Sequence, residues 1–203
     1  MKIAPFAALL ACVTVPSFAQ QTLFGGRPQV VYEIEHEKAA DKSGHANSVT
    51  LYPGIRWKEG WINELEVMLK YEREAEAGSQ GFEIAHERAL GVRVRSIVHF
   101  TDNFGGFFRG LIGRRFQPES SYTYAYVEPA LTYKLEPLDW YTGYRFVRAI
   151  DGSSGRDYDQ WRMGPGWDIN EHNEIELRIT RSWDAVTRAR RSDSIEIEYT
   201  YKY

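Results

Sequence analysis

Arginine recurs at alternate positions of several strand-like segments in the middle and later parts of the chain. Side chains of a β-strand alternate between its two faces, so arginines at this spacing share one face. A guanidinium group carries donors that match the two oxygens of a carboxylate, and such a row therefore suits an anionic solute. The candidate anion-binding residues are Arg93, Arg95, Arg109, Arg145, Arg162 and Arg178.

Three tyrosines, Tyr124, Tyr126 and Tyr141, fall on the same polar faces as these arginines. A tyrosine ring offers a flat surface that can stack on a sugar, and its hydroxyl group can donate a hydrogen bond. Together with the arginines, the tyrosines predict a site for sugars that carry carboxylate groups.

Glutamates on the polar faces concentrate towards the two ends of the chain, as Glu33 and Glu35 near the start and Glu196 and Glu198 near the end show. If the first and last strands are neighbours, these glutamates form an acidic wall opposite a basic wall. A second interpretation is that arginines and glutamates pair with each other and plug a narrow interior. The sequence leaves both interpretations open.

Catalytic and metal chemistry have little support in the sequence. His45, with Asp41 and either Ser43 or Ser48 nearby, is the one cluster that resembles a hydrolase triad. Loop composition produces such clusters by chance. The chain has no H-x-x-x-H spacing and no cysteine pair, and its glycines lack the strand-to-helix context of a phosphate loop. We therefore expect no enzyme, no bound metal and no cofactor.

Ten segments with strictly alternating polar and apolar residues carry all of these side chains, and most last about nine to twelve residues. A tilted strand needs about that length to cross a bilayer, whereas strands of globular proteins average about five or six residues. Short connections alternate with longer ones, as in outer-membrane barrels. The sequence predicts an all-β fold, a transmembrane antiparallel up-and-down β-barrel of about ten strands with both termini periplasmic.

The apolar face of each segment is expected to contact lipid. The final segment alone, residues 194–203, would fit the edge strand of a soluble sandwich equally well, but nine similar segments precede it. Aromatic residues near segment ends predict a girdle at the membrane interfaces. The predicted girdle residues are Trp57, Trp61, Tyr133, Trp140, Trp161, Trp167 and Tyr203.

The start of the chain predicts export. Lys2, an apolar stretch over residues 3–15 and the Ser17-Phe18-Ala19 sequence match a signal peptide that is cleaved after residue 19. Residues 20–203 then form a single barrel domain in the outer membrane of a Gram-negative bacterium. Cleavage removes Cys12, the only cysteine among the 203 residues. The formal net charge of -3 does not point to a nucleic-acid partner, and we expect none.

The exported start, the small size, the arginine set and the stretch Trp57-Lys58-Glu59-Gly60-Trp61 resemble the oligogalacturonate-specific porin family of small monomeric outer-membrane channels. The resemblance runs loosely from about residue 30 to residue 203. It implies passive diffusion of acidic oligosaccharides past lumenal arginines. The family has twelve strands, so either one hairpin is absent here or residues 81–100 contain two strands.

The leading hypothesis is therefore a porin for small anionic solutes, with acidic oligosaccharides as the expected substrates. The alternative is a structural or adhesive barrel whose lumen is plugged by charges and transports nothing. A hydrolase at the outer rim is a third hypothesis. Expected partners are outer-membrane lipid, the transported anions and the barrel-assembly machinery, which would engage the C-terminal strand, and we expect a monomer.

Overall fold

The computed structural model describes residues 29–39, 43–52, 54–56, 62, 64–78, 81–118, 120–153 and 155–202. The predicted signal peptide, Trp57, Trp61 and Tyr203 lie outside this part of the chain. No helix in the described part is long and apolar enough to cross a membrane. The strands are β1 (Gln29–Ala39), β2 (Ser43–Tyr52), β3 (Gly54–Arg56), β4 (Glu64–Gly78), β5 (Gly81–His99), β6 (Phe104–Phe116), β7 (Ser121–Leu135), β8 (Leu138–Ala149), β9 (Tyr158–Asn170), β10 (Asn173–Asp184) and β11 (Arg190–Lys202).

The strands close into one antiparallel barrel. From β4 to β11 each strand pairs with the next one in the chain, and β1 pairs with both β2 and β11. Both β2 and β3 pair with β4, so they are successive pieces of one barrel strand, and the ring has ten strand positions. This confirms the predicted antiparallel all-β barrel of ten strands. The segment 81–100 forms a single strand, Gly81–His99, and so does not supply the extra pair of strands that a twelve-stranded barrel would need.

Two of the longer connections expected between the alternating segments, residues 39–46 and 73–80, are largely strand. Residue 39 lies in β1, residues 43–46 lie in β2, and residues 73–78 lie in β4. Polar sequence does not prevent pairing, because backbone hydrogen bonds continue wherever two strands run side by side. These strands therefore extend beyond their apolar rows. The opposite end of the barrel has tight turns, such as residues 136–137 and 171–172.

The barrel is inverted relative to a soluble protein. Apolar side chains on the outer face are exposed, as the exposed fractions of Leu69 (42%), Val92 (44%) and Ile112 (52%) show. Charged and hydroxyl side chains on the inner face are buried, and Glu128 (0% exposed) and Thr180 (2%) are the extreme cases. An apolar exterior around a polar interior suits a barrel surrounded by lipid. The predicted assignment of faces is confirmed.

Four of the predicted girdle aromatics lie on this outer face. Tyr133, Trp140 and Trp167 lie near the tight turns and are 50%, 38% and 49% exposed. Trp161 also faces outward, and its indole N–H donates a hydrogen bond of 2.9 Å to Thr142 Oγ1. An aromatic body in the acyl region with a polar tip near the interface is the arrangement that lipid favours.

Strand β6 is continuous although it contains four glycines. Its pairings with β5 and β7 continue from end to end with no shift of register. Gly91 of β5 and Gly113 of β6 are paired, and a Cβ atom at Gly113 would lie 2.9 Å from the carbonyl oxygen of Leu90. Glycine is required at this close approach, and the backbone ladder holds the strand in place.

Candidate functional site: the barrel interior

All six predicted arginines point into the barrel from its middle and later strands. Arg93 and Arg95 come from β5, and the others from β6, β8, β9 and β10 in turn. They line a cavity of about 200 Å³ in the interior. Sequence reasoning missed three further cations of this cavity as site residues, although all three continue the alternation that identified the others: Lys70, Arg115 and Lys202.

Glu128 of β7 is the centre of one charge cluster. Its carboxylate accepts hydrogen bonds from Arg145 Nε at 3.0 Å and Arg145 Nη2 at 2.7 Å. Arg109 Nη1 lies 3.5 Å from Oε2, and Arg162 Nη1 lies 3.4 Å from Oε1. Three guanidinium groups from three strands thus converge on one carboxylate that has no exposed surface.

Arg178 of β10 is the centre of a second cluster with the opposite composition. Its Nη1 donates to Glu196 at 2.8 Å, and its Nη2 donates to Glu198 at 2.8 Å. Glu176 lies 2.8 Å from Nη2, and Glu33 lies 3.4 Å from Nη1. One guanidinium group therefore contacts four carboxylates where β1, β10 and β11 adjoin.

Arg162 joins the two clusters. Besides Glu128, it contacts Glu196 through Nη2 at 3.3 Å. The Thr180 hydroxyl group donates a further bond of 2.7 Å to Glu196. The result is a continuous network of ion pairs from β7 to β1.

A third cluster lies across β4 and β5. Arg93 Nε donates to Glu66 at 2.6 Å, and Arg95 Nε donates to Glu64. The strand register places the two members of each ion pair directly opposite each other, since Glu66 pairs with Arg93 and Glu64 with Arg95. Cross-strand pairs of opposite charge stabilise a sheet, and buried charges require such partners.

Of the two arrangements that the sequence left open, the described residues show paired charges and not an acidic wall separated from a basic wall. Glu128 lies among arginines, and Arg178 lies among the glutamates of the β1–β11 seam. A ring of ten tilted strands has a backbone radius of about 10 Å, so long side chains reach partners one or two strands away. Charges in so narrow an interior are stabilised by pairing, which mixes the two signs.

The predicted tyrosines lie in the interior, but their rings have other neighbours. Tyr124 and Tyr126 are 4% and 9% exposed and belong to a small cluster of buried apolar side chains on the inner face of the barrel. The guanidinium carbon of Arg115 lies 4.9 Å from the ring centre of Tyr124, and that of Arg145 lies 4.3 Å from Tyr126. Guanidinium groups therefore occupy the ring faces that were expected to stack on sugars.

Two more aromatic side chains contact arginines, Tyr141 through its hydroxyl group and Tyr52 through its ring. The hydroxyl oxygen of Tyr141 accepts a bond of 2.6 Å from Arg178 Nε. The guanidinium carbon of Arg93 lies 3.8 Å from the ring centre of Tyr52, which was not among the predicted site residues. In this structure the aromatic residues fix the orientation of the arginines.

Some arginine donors remain free within the described part of the chain. The Nε atoms of Arg109, Arg115 and Arg162 are buried and have no hydrogen-bond partner. Arg109 makes only one ion pair there, at 3.5 Å. It also borders a second space of about 270 Å³, which shares Arg95, Arg109 and Arg178 with the first cavity. Arg109 therefore places a free donor at the junction of the two cavities, where water or the oxygen of an anion can bind.

Of the two serines in the predicted hydrolase cluster, Ser43 lies on the same face of β2 as His45, and Ser48 lies on the opposite face. His45 faces outward from β2, and its ring lies 4.5 Å from the ring of His36. Ser48 faces the interior and donates to Glu33 at 3.4 Å, so it lies on the other side of the sheet from His45. Asp41 is outside the described residues. Those residues contain no group of three or more His, Cys, Asp and Glu side chains that could hold a metal ion.

Comparison with solved structures finds outer-membrane barrels. The COG4313 outer membrane channel from Pseudomonas putida F1 is 8% identical, with 93% of this chain and 99% of that chain covered and a TM-score of 0.58. The β domain of the Bordetella autotransporter BrkA is 10% identical, with 88% and 100% covered and a TM-score of 0.54. The KdgM porin in complex with oligogalacturonate is also similar, at 9% identity with 86% and 99% covered and a TM-score of 0.47. No family model and no curated protein matches the chain.

The chain has the fold of a Gram-negative outer-membrane barrel. The first two similarities establish this fold over most of the chain. The inverted distribution of apolar and polar side chains agrees with it. Such a barrel belongs in the outer membrane.

Proposed function

We propose that the protein is a narrow outer-membrane channel for small anionic solutes. The observation that carries this proposal is the charge of the groups around the central cavity, where nine cationic side chains outnumber four carboxylates. The cations are Lys70, Arg93, Arg95, Arg109, Arg115, Arg145, Arg162, Arg178 and Lys202, and the carboxylates are Glu33, Glu174, Glu176 and Glu198.

The excess of positive charge arises because several carboxylates are buried behind the arginines that they bind. Glu128, Glu64 and Glu66 are 0%, 1% and 6% exposed, and none of them lines the cavity. The side chains of Arg95 and Arg109 keep 19% and 14% of their surface accessible. A solute inside the cavity is therefore in contact with more guanidinium groups than carboxylates, which favours an anion.

The cavity size restricts which anions fit. Spaces of about 200 and 270 Å³ are large enough for inorganic anions and single sugar acids. Acidic oligosaccharides, the substrates implied by the family resemblance, would pass as extended chains with one sugar unit at the narrow part. The description of the Pseudomonas putida barrel as a channel agrees with this proposal.

Ion selectivity in a planar bilayer tests the proposal. The reversal potential across a potassium chloride gradient should show preference for chloride over potassium. Arg109→Gln should reduce the chloride-to-potassium permeability ratio about fivefold, because it removes one charge from the wall in a partly dehydrated lumen. Arg109 is suited to this test, since it makes a single ion pair at 3.5 Å.

Lys134→Gln is the matched control, because Lys134 is a cation with 52% of its side chain exposed at the tight-turn end of the barrel. It should leave the permeability ratio unchanged. A wild-type channel that prefers potassium would contradict the proposal.

A closed structural barrel is the second candidate, and the Arg178 cluster favours it. A guanidinium group bound to four carboxylates resists displacement by a solute. This candidate predicts no current from the wild-type protein and a new current from the double variant Arg178→Gln/Glu196→Gln, which removes one charge of each sign. Current block by an acidic sugar in the wild-type channel would exclude it.

A further inference from the structure

The outer face of the barrel carries basic side chains at one border of its apolar surface. In β4 the outward residues Leu65, Val67, Leu69 and Tyr71 are followed by Arg73. The same order, an apolar row and then a base, recurs around the barrel at the end with the longer connections. We define the basic belt as Lys38, Arg73, Arg88, Arg114, Arg148 and Arg181, from β1, β4, β5, β6, β8 and β10.

Strand register places Arg88, Arg114 and Arg148 of the belt at a similar level of the barrel. Arg114 pairs with Leu90, which is two positions from Arg88, so these arginines are close on one face. Arg114 also pairs with Thr123. Two positions further along β7, Ala125 pairs with Arg148. These three arginines therefore follow one another around the barrel and do not scatter along its length.

The belt carries a net positive charge. Within the described part of the chain, no carboxylate lies within ion-pair distance of Lys38, Arg73, Arg88 or Arg114. On the remaining strands, two aspartates each bind two arginines. Arg148 and Arg188 contact Asp159, while Arg181 and Arg190 contact Asp193.

The opposite border of the apolar surface has a different composition. There the outward rows of the described strands carry no lysine or arginine and end in aliphatic or aromatic residues such as Val98, Phe104, Tyr133 and Trp140. A protein surrounded by the same headgroups on both sides would gain nothing from this asymmetry. The one-sided belt indicates that the headgroups at its border are anionic.

We propose that the basic belt binds the phosphate groups of lipopolysaccharide in the outer leaflet. Guanidinium groups match phosphate oxygens and are more weakly hydrated than ammonium groups, so they bind phosphate well at a lipid interface. The exposed apolar row directly beside each base contacts the acyl chains of the same lipid molecule. This surface is separate from the lumen, and the proposal does not depend on transport.

The proposal also gives the barrel an orientation. Because lipopolysaccharide occupies the outer leaflet, the belt places the longer connections outside the cell and the tight turns in the periplasm. This is the orientation that the alternating connection lengths of the sequence suggested.

Binding of lipid A to the folded full-length protein in detergent micelles tests the belt. Lipid A with two phosphates should bind, and the same lipid without phosphates should bind much more weakly. Arg73→Gln, Arg88→Gln and Arg114→Gln should each weaken binding about fivefold, and the triple variant should weaken it on the order of 100-fold. Native mass spectrometry across a lipid titration measures the bound fraction.

Lys134→Gln is the control, since it removes an exposed cation from the other end of the barrel. It should bind lipid A as the wild type does. Resistance to unfolding in unheated dodecyl sulfate samples checks that each variant is folded, and the single variants test the proposal if the triple variant does not fold. Equal binding of the phosphorylated and dephosphorylated lipids, or unchanged binding by the folded Gln variants, would overturn the proposal.

Discussion

Glu128 shows how one buried carboxylate organises the interior. Three arginines converge on it, and none of its side-chain surface is accessible. A buried charge that loses its partner is costly, because the remaining charge is neither hydrated nor neutralised. Glu128 therefore fixes the positions of Arg109, Arg145 and Arg162, which line the cavity.

Glu128→Gln should lower the free energy of unfolding by about 3–5 kcal/mol, because it leaves these arginines without their shared counter-charge. Urea unfolding of the protein in lipid vesicles measures the change. Glu136→Gln is the control, since Glu136 is 83% exposed and pairs with Lys134 at 3.6 Å. The control should change stability by less than about 0.5 kcal/mol. Equal stability of the two variants would show that the cluster is not a structural centre.

Sequence reasoning identified which residues face the interior but not which residues pair there. Facing follows from alternation within one strand, which is a local property of Arg145 or Arg162. Pairing depends on register between strands, so Arg162 contacts Glu128, a residue 34 positions earlier in the chain. The prediction that Tyr126 stacks on a sugar also rested on its own segment alone. Nothing in that segment indicates that Arg145 lies over the ring of Tyr126.

At the scale of the strand, the contact between β9 and β10 depends on a glycine. A Cβ atom at Gly164 would lie 1.8 Å from the carbonyl oxygen of Leu177 and 3.1 Å from the Cα atom of Arg178. The neighbour is backbone and cannot move aside as a flexible side chain can. Gly164 thus allows a close approach of two strands beside the Arg178 cluster.

Gly164→Ala should separate β9 from β10 locally and lower the free energy of unfolding by roughly 2–4 kcal/mol. Gly166→Ala provides the comparison, because its Cβ atom would find its nearest neighbours at 3.6 Å, an ordinary contact distance. The fraction that refolds into vesicles, read from gel mobility, checks the prediction. Equal refolding of both variants would mean that the strands can shift without cost.

Strand centres could be predicted from the sequence, but strand ends could not. Alternation over residues such as Leu65, Val67 and Leu69 identifies a strand because lipid requires the apolar face. Beyond the lipid that requirement ends, and both faces contact water. Residues 73–78 therefore look like a loop in sequence although they continue β4.

For the whole molecule, the decisive contact is the one between β1 and β11. Ile34 pairs with Ile197, and Tyr32 pairs with Tyr199, so the first and last strands of the barrel are neighbours. The sequence predicted a closed barrel from ten alternating segments of membrane-spanning length, joined by alternately short and longer connections. It could not provide the register, which no local pattern specifies.

A disulfide across this seam tests both closure and register. In a chain produced without residues 1–19, and hence without Cys12, the double variant Ile34→Cys/Ile197→Cys should form a disulfide on oxidation, because paired residues bring their Cβ atoms within reach. Val30→Cys/Ile197→Cys should not, since Val30 pairs with Tyr201, four positions away. Gel mobility with and without a reducing agent detects the bond. Efficient crosslinking in the second variant would show a different register.

The β1–β11 seam also determines how the chain can fold. Val31 pairs with Thr200, so the contact that completes the barrel joins residues from nearly opposite ends of the described chain. Contacts of such long sequence separation form late and slowly, because a large loop must close before any stabilisation is gained. Until then every partly folded state exposes two unpaired strand edges, which are sites of aggregation. Folding of this barrel is consequently concerted, and both edges must be kept from pairing with other chains until the last strand is in place.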